Sequence, residues 1–216
     1  MVQFSNRRSR RADARRLEIL RAAARTFRGV GFAAAGMRDI ARAADLSPGN
    51  LYHYFKGKDE LLYFCQSRAL DRLLDALAAA RRSRGGLRRR LHDLAVAHVL
   101  CLVDEVEGSA AHLEVDALPP RLRTAIVAKR DRYERGVRAL VGDAIATRAF
   151  LGALNWTAHW YRPDGPEPAA AVAERVAAFA VAGLNLHDTR ARRPDRQRRA
   201  DRSRVRAVQN TARGAA

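Results

Sequence analysis

The segment DLSPGNLYHYFKGKDELL, which begins at residue 45, concentrates side chains that can bind a polyanion. If a helix starts at its proline, one outer face carries amide, imidazole and phenol groups from Asn50, Tyr52, His53 and Tyr54. Such groups reach phosphates and base edges in the major groove of DNA. The spacing therefore indicates a nucleic-acid-binding helix. A second interpretation, in which Tyr52 and Tyr54 only cover a hydrophobic core, is compatible with the same spacing.

The flanking residues predict how this helix is held. Ser47 is a typical N-cap and Pro48 a typical first helical residue. The short helical pattern MRDIARAAD precedes it, with Arg38 in the first turn, and the connecting Asp45 is one of the few non-glycine residue types that tolerate a positive φ. Lys58 opens a longer helix, where we expect it to contact a phosphate. Two helices joined by a short turn, the second bearing the polar face, form a helix-turn-helix.

The charge of the chain is concentrated at its two ends. The net charge is +18, from 41 basic and 23 acidic residues. Residues 1–28 contain nine arginines and two acidic residues, and residues 188–216 contain ten arginines and three acidic residues. The body between them is nearly balanced, so basic arms flank a globular region, which favours nucleic acid over a membrane surface as the partner. For residues 188–216 the alternative is a solvated, disordered tail.

The rest of the pattern predicts an all-α fold. Alanine, leucine and arginine dominate, the alternation typical of β-strands is missing, and Gly29 and Gly31 mark the end of the first helix. We predict four parts, namely a basic N-terminal arm, a three-helix helix-turn-helix domain, a helical ligand-binding and dimerisation domain, and a basic tail, at residues 1–12, 13–58, 59–187 and 188–216. In the larger domain the helices are predicted at residues 59–81, 87–105, 121–146, 147–160 and 168–186.

Several classes of protein are disfavoured by what the sequence lacks. It contains no long apolar run and no secretory signal, which predicts a cytosolic chain without a membrane span. The motifs of hydrolases, metalloproteases and nucleotide-binding enzymes are missing, so we predict no enzymatic activity, no catalytic residue and no cofactor.

Cysteine and histidine spacing also argues against a structural metal. Cys65 and Cys101 stand apart in helical segments and are predicted to be small core residues. His92 and His98 are six residues apart, which places them on different faces of a helix. A metal site would have to draw on His92, His98, His112 and Glu114.

The sequence MRDIARAADLSPGNLYHYFKGKDELL, with the helix and FRGVGF before it, closely resembles the DNA-binding domain of TetR-family bacterial transcriptional regulators. The resemblance covers about residues 13–64. It implies a homodimer that binds a palindromic operator, with the third helix in the major groove. It further implies DNA contacts from Arg38, Ser47, Asn50, Tyr52, His53, Tyr54 and Lys58. Two positions depart from the family pattern: Gly36 replaces the usual threonine before the second helix, and Asp45 replaces the usual turn glycine.

The same resemblance implies a helical regulatory domain that pairs through its last two helices. On the final helix Val172, Val176, Phe179 and Gly183 recur in steps of four, three and four, interleaved with alanines, as expected for close helix packing. This stripe has an alternative role in the core of its own chain. The residues predicted to form the dimer interface are Phe150, Leu154, Val172, Val176, Phe179 and Gly183.

The aromatic segment FLGALNWTAHWYRP begins at residue 150 and is similar to TetR-family repressors of fatty-acid and steroid degradation that respond to acyl-CoA thioesters. That similarity implies an apolar pocket for the acyl part, with arginines near the phosphates. The predicted ligand residues are Leu94, His98, Leu102, Arg121, Arg123, Trp156, Trp160 and Arg162. The alternative is a plain dimer interface with structural tryptophans.

The sequence therefore predicts a ligand-responsive transcriptional regulator, a repressor that acts as a homodimer on double-stranded DNA and is released by a small molecule. The competing hypothesis is a sequence-neutral, nucleoid-type protein that binds DNA through its arginine-rich ends. One feature is unusual for the family, because the chain runs through the junction of Ala146 and Thr147 without the expected loop. Either this protein lacks the loop, or the sequence omits a segment there.

Overall fold

The computed structural model describes residues 2–103 and 115–184, with side chains from residue 11 onward. The predicted tail at 188–216 and the candidate ligands His112 and Glu114 lie outside the described residues. The described chain is all-α, as predicted, and consists of eight α-helices and one short 3-10 turn, Val115–Ala117. The α-helices are α1 (Val2–Ala34), α2 (Met37–Ala43), α3 (Pro48–Tyr54), α4 (Lys58–Arg82), α5 (Leu87–Val103), α6 (Pro120–Val141), α7 (Ala144–Trp160) and α8 (Ala169–Ala182).

Helix α1 is longer at its beginning than the sequence predicts. Its backbone is already helical at Val2, so the expected arm at residues 1–12 continues the first helix. The physical reason is local, because residues 2–12 contain many arginines and no glycine or proline. At the other end, the backbone leaves helical geometry at Gly31, with φ 79° and ψ 157°. This confirms the predicted glycine stop.

Helices α1, α2 and α3 form a small three-helix head around a shared core. Phe27 of α1, Ile40 and Ala41 of α2, and Leu51 of α3 are all buried. The small alanine side chain lets α1 and α2 approach closely. The turn between α2 and α3 contains Asp45 at a φ of 52°, which confirms the predicted left-handed residue.

Helix α4 joins this head to the larger helical body without a break. Its 25 residues correspond to a length of about 37 Å. Leu61 and Leu62 are buried close to the head end, whereas Leu70, Leu73 and Leu77 are buried further along the same helix. A single rigid element therefore connects the two regions.

The boundary between α6 and α7 differs from the predicted break at Ala146 and Thr147. Helix α6 ends with Gly142 in the left-handed conformation, at a φ of 88°. The next residue, Asp143, is the N-cap of α7, and its Oδ1 accepts a hydrogen bond from Ala146 N at 2.7 Å. Gly142 and Asp143 alone connect the two helices. The break falls here because glycine favours the end of a helix and aspartate favours the start of one. The predicted boundary was wrong by about one helical turn.

The body packs α5 against α8, α4 and α7, and α6 against α4 and α7. Cys65 and Cys101 are both buried, as predicted for core residues. Helices α4 and α6 approach closely at Gly136 of α6, where a Cβ atom would overlap the side chain of Leu77. The final helix ends at Ala182, earlier than predicted, with Gly183 as its C-cap.

Candidate DNA-binding surface and regulatory cavity

The start of α3 is built as the sequence predicts. The Ser47 Oγ accepts a hydrogen bond from Asn50 N at 3.2 Å, and Pro48 is the first helical residue. The Ser47 hydroxyl thus satisfies one of the free backbone N–H groups at the start of the helix. This capping bond orients Asn50, which is exposed in the first turn of α3.

The outer face of α3 brings the predicted DNA-contacting side chains together. Asn50, Tyr52 and His53 are exposed and Tyr54 is half-buried, whereas Leu51 is completely buried. Tyr52 is 53% exposed, so it does not belong to the core. The inward and outward sides of this short helix are therefore clearly separated, and the polar side is open to a partner. The contacts of these residues with DNA stay a prediction.

Arg15 of α1 fixes the turn before α3. Its Nη2 donates hydrogen bonds to the carbonyl oxygens of Ala44 at 3.3 Å and Asp45 at 3.2 Å. The hydrogen bond from Arg15 to Glu18 raises the pKa of the guanidinium. This role of Arg15 could not be predicted from the sequence, because nothing in the local pattern indicates that residues 29 and 30 positions apart come together.

Lys58 makes contacts within the protein, and its predicted phosphate contact stays a prediction. Its Nζ lies 3.1 Å from the carbonyl oxygens of Phe32 and Ala33 and 3.5 Å from that of Ala35, and it sits 4.7 Å from the centre of the Phe32 ring. A lysine ammonium has three hydrogens to donate, so these carbonyls engage all of them. Lys58 therefore caps the end of α1 and joins it to α4.

The start of α2 shows how the unusual Gly36 is compensated. Gly36 offers no side-chain cap, but the Oδ2 of Asp39 accepts a hydrogen bond from Gly36 N at 3.3 Å. Asp39 also pairs with Arg42, with an N···O distance of 3.3 Å. Arg38 is exposed in the same turn, on the surface that continues from α3.

A cavity of about 310 Å³ lies in the body, between α4, α5, α6 and α7. Its wall combines apolar and polar side chains. The apolar lining consists of Leu70, Leu73, Leu102, Leu151 and Ala158, and the polar lining consists of His98, Arg130, Tyr133, Glu134 and Asn155. An apolar pocket with a few convergent polar groups is typical of small-molecule sites.

A chain of hydrogen bonds crosses the polar wall. His98 Nδ1 lies 2.9 Å from Tyr133 Oη, and His98 Nε2 lies 3.0 Å from Asn155 Oδ1. Burial lowers the pKa of His98 to about 4, against a smaller opposing effect of the Asn155 hydrogen bond. Burial also raises the pKa of Tyr133 well above its ordinary value. Both groups are therefore neutral at pH 7.

Two charged residues complete the polar wall. Burial lowers the pKa of Arg130, and the negative charge of Asp116 opposes that effect. Glu134 faces Arg148, with Oε1 3.6 Å from Arg148 Nε. The cavity thus contains one desolvated cation and one carboxylate that already has a partner.

The predicted ligand residues on α5 and α7 are dispersed. His98 and Leu102 line the cavity, but Leu94 is buried in the core and does not. Trp156 is 62% exposed and Trp160 is 46% exposed, so the prediction that they form a buried ligand wall was wrong. Trp156 and Trp160 are four positions apart and share an exposed side of α7, whereas Asn155, which is also exposed, contributes to the lining of the cavity.

The predicted arginines also lie elsewhere. Arg121 is exposed in the first turn of α6, and Arg123 donates to the carbonyl oxygen of Leu118 at 3.3 Å, which secures the start of that helix. Arg162 lines a second cavity of the same volume, about 310 Å³, which shares Ala158 with the first. The first cavity is lined by Arg130, which the sequence pattern did not single out.

The predicted dimer residues divide into core and surface. Phe150 and Leu154 of α7 are buried within the chain, so the prediction that they form an interface was wrong. Val172 of α8 is also buried, but it lines a surface groove between α7 and α8. Phe179 is 75% exposed and Gly183 is exposed, and Val176 is half-buried beside them. These three residues stay candidates for an interface.

A larger apolar surface extends over the outer sides of α7 and α8. Ile145 is 78% exposed, and Trp156, Trp160 and Phe179 are exposed as well. A shallow groove of about 290 Å³ lies between the two helices, lined by Trp160, Glu167, Val172, Arg175, Val176 and Phe179. Exposed aromatic and aliphatic residues beside such a groove are typical of a protein interface.

In the described ranges 2–103 and 115–184, no group of histidine, cysteine and acidic side chains has the arrangement to hold a metal ion. His92 instead lies 3.4 Å from Glu174 Oε2. No helix in the described part of the chain is both long and apolar enough to cross a membrane.

Comparison with known proteins agrees with this division into a DNA-binding head and a helical body. The family model described as "Bacterial regulatory proteins, tetR family" matches residues 19–63, and the model described as "Tetracyclin repressor-like, C-terminal domain" matches residues 85–184. The HTH-type transcriptional repressor KstR2 of Mycobacterium tuberculosis (strain ATCC 25618 / H37Rv) is 28% identical over 191 residues, which cover 80% of this chain and 94% of KstR2.

Solved structures give the same result. The TetR-family regulator PfmR from Thermus thermophilus is 33% identical, with a TM-score of 0.69, over 77% of this chain and 98% of PfmR. AibR, solved in complex with isovaleryl coenzyme A and operator DNA, shares the fold, with a TM-score of 0.64 at 22% identity over 79% of this chain and 97% of AibR. The chain belongs to the TetR family of transcriptional regulators.

Proposed function

We propose that the protein is a ligand-responsive repressor that binds a palindromic operator in the cytoplasm as a homodimer and is released when a small molecule fills the cavity of the body. The observation that carries this proposal is the exposed polar face of α3, with Asn50, Tyr52 and His53 on a helix capped by Ser47. A rigid, capped helix with this composition fits the major groove.

The contacts divide into two kinds on this proposal. Asn50 and His53 read base edges, because amide and imidazole groups form directional hydrogen bonds with them. Tyr52, Tyr54, Ser47 and Arg38 contact the sugar-phosphate backbone and fix the orientation of the head. Arg15 and Lys58 act within the protein, since their donors hold the turn before α3 and the end of α1.

Dimerisation is proposed to use the apolar surface of α7 and α8. Pairing of this surface would cover Ile145, Trp156, Trp160 and Phe179, which are otherwise exposed. A symmetric dimer presents two copies of α3 to one face of the DNA, and their spacing must be close to one helical turn, about 34 Å.

We propose that α4 transmits the effect of ligand binding from the cavity to the DNA-binding head. Leu70 and Leu73 line the cavity, and the same helix begins at Lys58, which is bonded to the end of α1. A ligand that prefers a shifted position of α4 would therefore change the position of the head. This is a population shift, and its size is limited by the difference in ligand affinity between the two arrangements.

The proposed inducer is an acyl compound, with an acyl-CoA thioester as the first candidate. The support is the fold shared with AibR, a protein whose structure contains isovaleryl coenzyme A. The cavity of about 310 Å³ suits the acyl part, whereas the nucleotide and the pantetheine arm would extend outside it.

The test is selection of genomic fragments by the purified chain at about 150 mM salt, which is near physiological ionic strength. We expect enrichment of one palindromic motif, at an affinity at least about a thousandfold above that for unrelated DNA. The same selection with residues 188–216 deleted is the matched control, and it should recover the same motif.

The competing function, sequence-neutral binding through the arginine-rich ends, predicts a different result. Recovery would be uniform over the genome, would fall steeply with salt and would be lost with the deleted tail. That outcome would contradict the proposed regulator. Activation of transcription, rather than repression, would appear as reduced expression beside the motif when the gene for this protein is deleted.

A further inference from the structure

The polar wall of the cavity has a defined hydrogen-bond direction. Asn155 Oδ1, which faces His98 Nε2 at 3.0 Å, is an acceptor only. With the amide in this orientation, the ring nitrogen Nε2 of His98 carries the proton and donates it. A neutral imidazole has a single N–H, so Nδ1 accepts the hydrogen bond from the Tyr133 hydroxyl, 2.9 Å away.

The hydrogen bond to His98 also holds the Asn155 amide in one orientation. Its oxygen is engaged by His98, which leaves the NH₂ group as the other end of the same planar amide. In the described part of the chain the Asn155 nitrogen makes no hydrogen bond, although Asn155 lines the cavity. The wall therefore offers donor hydrogens from Asn155, beside the cationic Arg130.

The remaining lining restricts the ligand further. Leu70, Leu73, Leu102, Leu151 and Ala158 require an apolar portion in contact with them. Glu134 also lines the cavity, but its carboxylate faces Arg148 at 3.6 Å. A volume of about 310 Å³ limits the enclosed part to a short chain or a small ring.

We propose that the cavity selects short apolar ligands that carry a carboxylate or a carbonyl, whose oxygen only accepts hydrogen bonds. Asn155 is the residue that recognises this oxygen. Tyr133 and His98 are positioning residues that keep the amide nitrogen directed at the ligand. This inference deepens the proposed function, on which it rests, and names the chemistry of the inducer. A free carboxylic acid and an acyl-CoA thioester share that chemistry.

The test compares probes of one chain length on the full-length protein. The neutral ketone 2-hexanone and the carboxylate hexanoate only accept hydrogen bonds, whereas hexylammonium only donates them. The ketone is uncharged, so its binding tests hydrogen-bond acceptance without an ion pair to Arg130. We expect titration calorimetry to give a dissociation constant for 2-hexanone at least about tenfold lower than that for hexylammonium.

The variant Asn155→Asp replaces the donor NH₂ group by an acceptor oxygen of the same shape and adds a negative charge, so the neutral ketone is the decisive probe. We expect it to bind 2-hexanone and hexanoate about tenfold more weakly than the wild-type chain does and to bind hexylammonium more tightly. The milder variant Tyr133→Phe removes the hydroxyl that fixes the tautomer of His98. It should reduce the ratio of the ammonium dissociation constant to the ketone dissociation constant. If Tyr133 contributed only packing, that ratio would stay unchanged.

Ala158→Val is the control for location, because it fills the cavity without altering its polar groups. It should weaken all three probes to a similar extent. Equal affinity of wild-type protein for ketone and ammonium, an unchanged preference in Asn155→Asp, or probe binding insensitive to Ala158→Val would each overturn the proposal.

Hexanoyl-CoA and hexanoate identify the source of the acceptor oxygen. Tighter binding of the thioester than of the free acid would identify a CoA ester, and the reverse would identify a carboxylic acid. Sequence-specific DNA binding by the wild-type chain without any probe is measured separately. If the wild-type chain showed no sequence-specific DNA binding, the proposed function would be contradicted. If it bound DNA specifically but bound all probes with equal affinity, only this inference would be contradicted.

Discussion

The ammonium nitrogen of Lys58 lies 3.1 Å from the carbonyl oxygen of Phe32 and 4.7 Å from the centre of its ring. Lysine thereby closes the C-terminal end of α1, where carbonyl groups have no helical partner and the helix dipole favours a cation. From the sequence alone, Lys58 is expected to contact a phosphate of the DNA. The two roles predict different salt behaviour, because only a phosphate contact releases a counterion from the DNA.

Lys58→Met should destabilise the protein rather than remove an ionic contact with DNA. We expect the free energy of unfolding, from urea titration, to fall by about 1–2 kcal/mol through loss of hydrogen bonds from a charged donor. The slope of the logarithm of DNA affinity against the logarithm of salt should stay unchanged. A slope reduced by about one unit for each lost contact would instead identify a phosphate ligand. Lys56→Met is the matched control, because Lys56 is exposed two residues earlier.

The buried His98 should make stability depend on pH in the acid range. Burial lowers its pKa in the folded chain to about 4, from an ordinary value of 6.5, so the unfolded chain binds the proton first as the pH falls. Stability is therefore retained above pH 6.5 and lost progressively down to about pH 4.

Between pH 7.5 and pH 5, we expect His98 to cost about 2 kcal/mol of unfolding free energy, measured by urea titration at both values. His98→Gln should remove this component while leaving the contribution of the carboxylates. Equal pH dependence in the variant and the wild-type chain would show that His98 is protonated without a penalty.

Gly136 should not tolerate a side chain. A Cβ atom there would overlap Leu77, which is itself buried and has little room to move. We expect Gly136→Ala to lower the free energy of unfolding by about 1–2 kcal/mol, since the overlap outweighs the better helix propensity of alanine. Gly29→Ala is the matched control, because nothing lies within 4 Å of the added atom. It should be neutral or stabilising, and a similar loss at both positions would contradict the packing argument.

The helix-turn-helix could be predicted from sequence because its determinants are local. Ser47 and Pro48 specify the start of α3, and Asp45 specifies the turn, within a few residues of the elements that they control. Helical spacing then separates the buried Leu51 from the exposed Asn50 without knowledge of any other helix.

The regulatory cavity could not be predicted in the same way. His98 and Asn155 are 57 positions apart, and which faces of α5 and α7 meet depends on the packing of the whole body. Aromatic content was also misleading on α7. Trp156 and Trp160 were expected inside, but their exposed positions leave the neighbouring Asn155 to line the cavity.

The exposed surface of α7 and α8 should control the oligomeric state. Phe179→Asp places a charge in the proposed interface, where Phe179 is 75% exposed in the single chain. We expect the dimer dissociation constant to rise roughly thirtyfold or more, as for loss of an aromatic interface residue, with a matching loss of operator affinity. Multi-angle light scattering during size-exclusion chromatography over a range of concentrations measures the change.

Val127→Asp is the control for this prediction, because Val127 is 41% exposed on α6, away from the proposed interface. It should leave the mass in solution unchanged. If Phe179→Asp stayed a dimer at every concentration, the proposed interface would have to be replaced by another surface.

Asn50 should determine which bases are preferred, whereas Tyr52 should contribute to binding on every sequence. Asn50 is exposed in the first turn of α3, where its amide can make two hydrogen bonds to one base edge. We therefore expect Asn50→Ala to cost about 1–3 kcal/mol on the selected operator and to relax preference at a single position of each half-site. Tyr52→Phe removes one hydroxyl and should weaken binding to matched and mismatched sites by the same factor. Binding to a library of single-base operator variants distinguishes the two effects, and an Asn50→Ala protein with unaltered base preferences would show that specificity comes from the shape of the DNA or from His53.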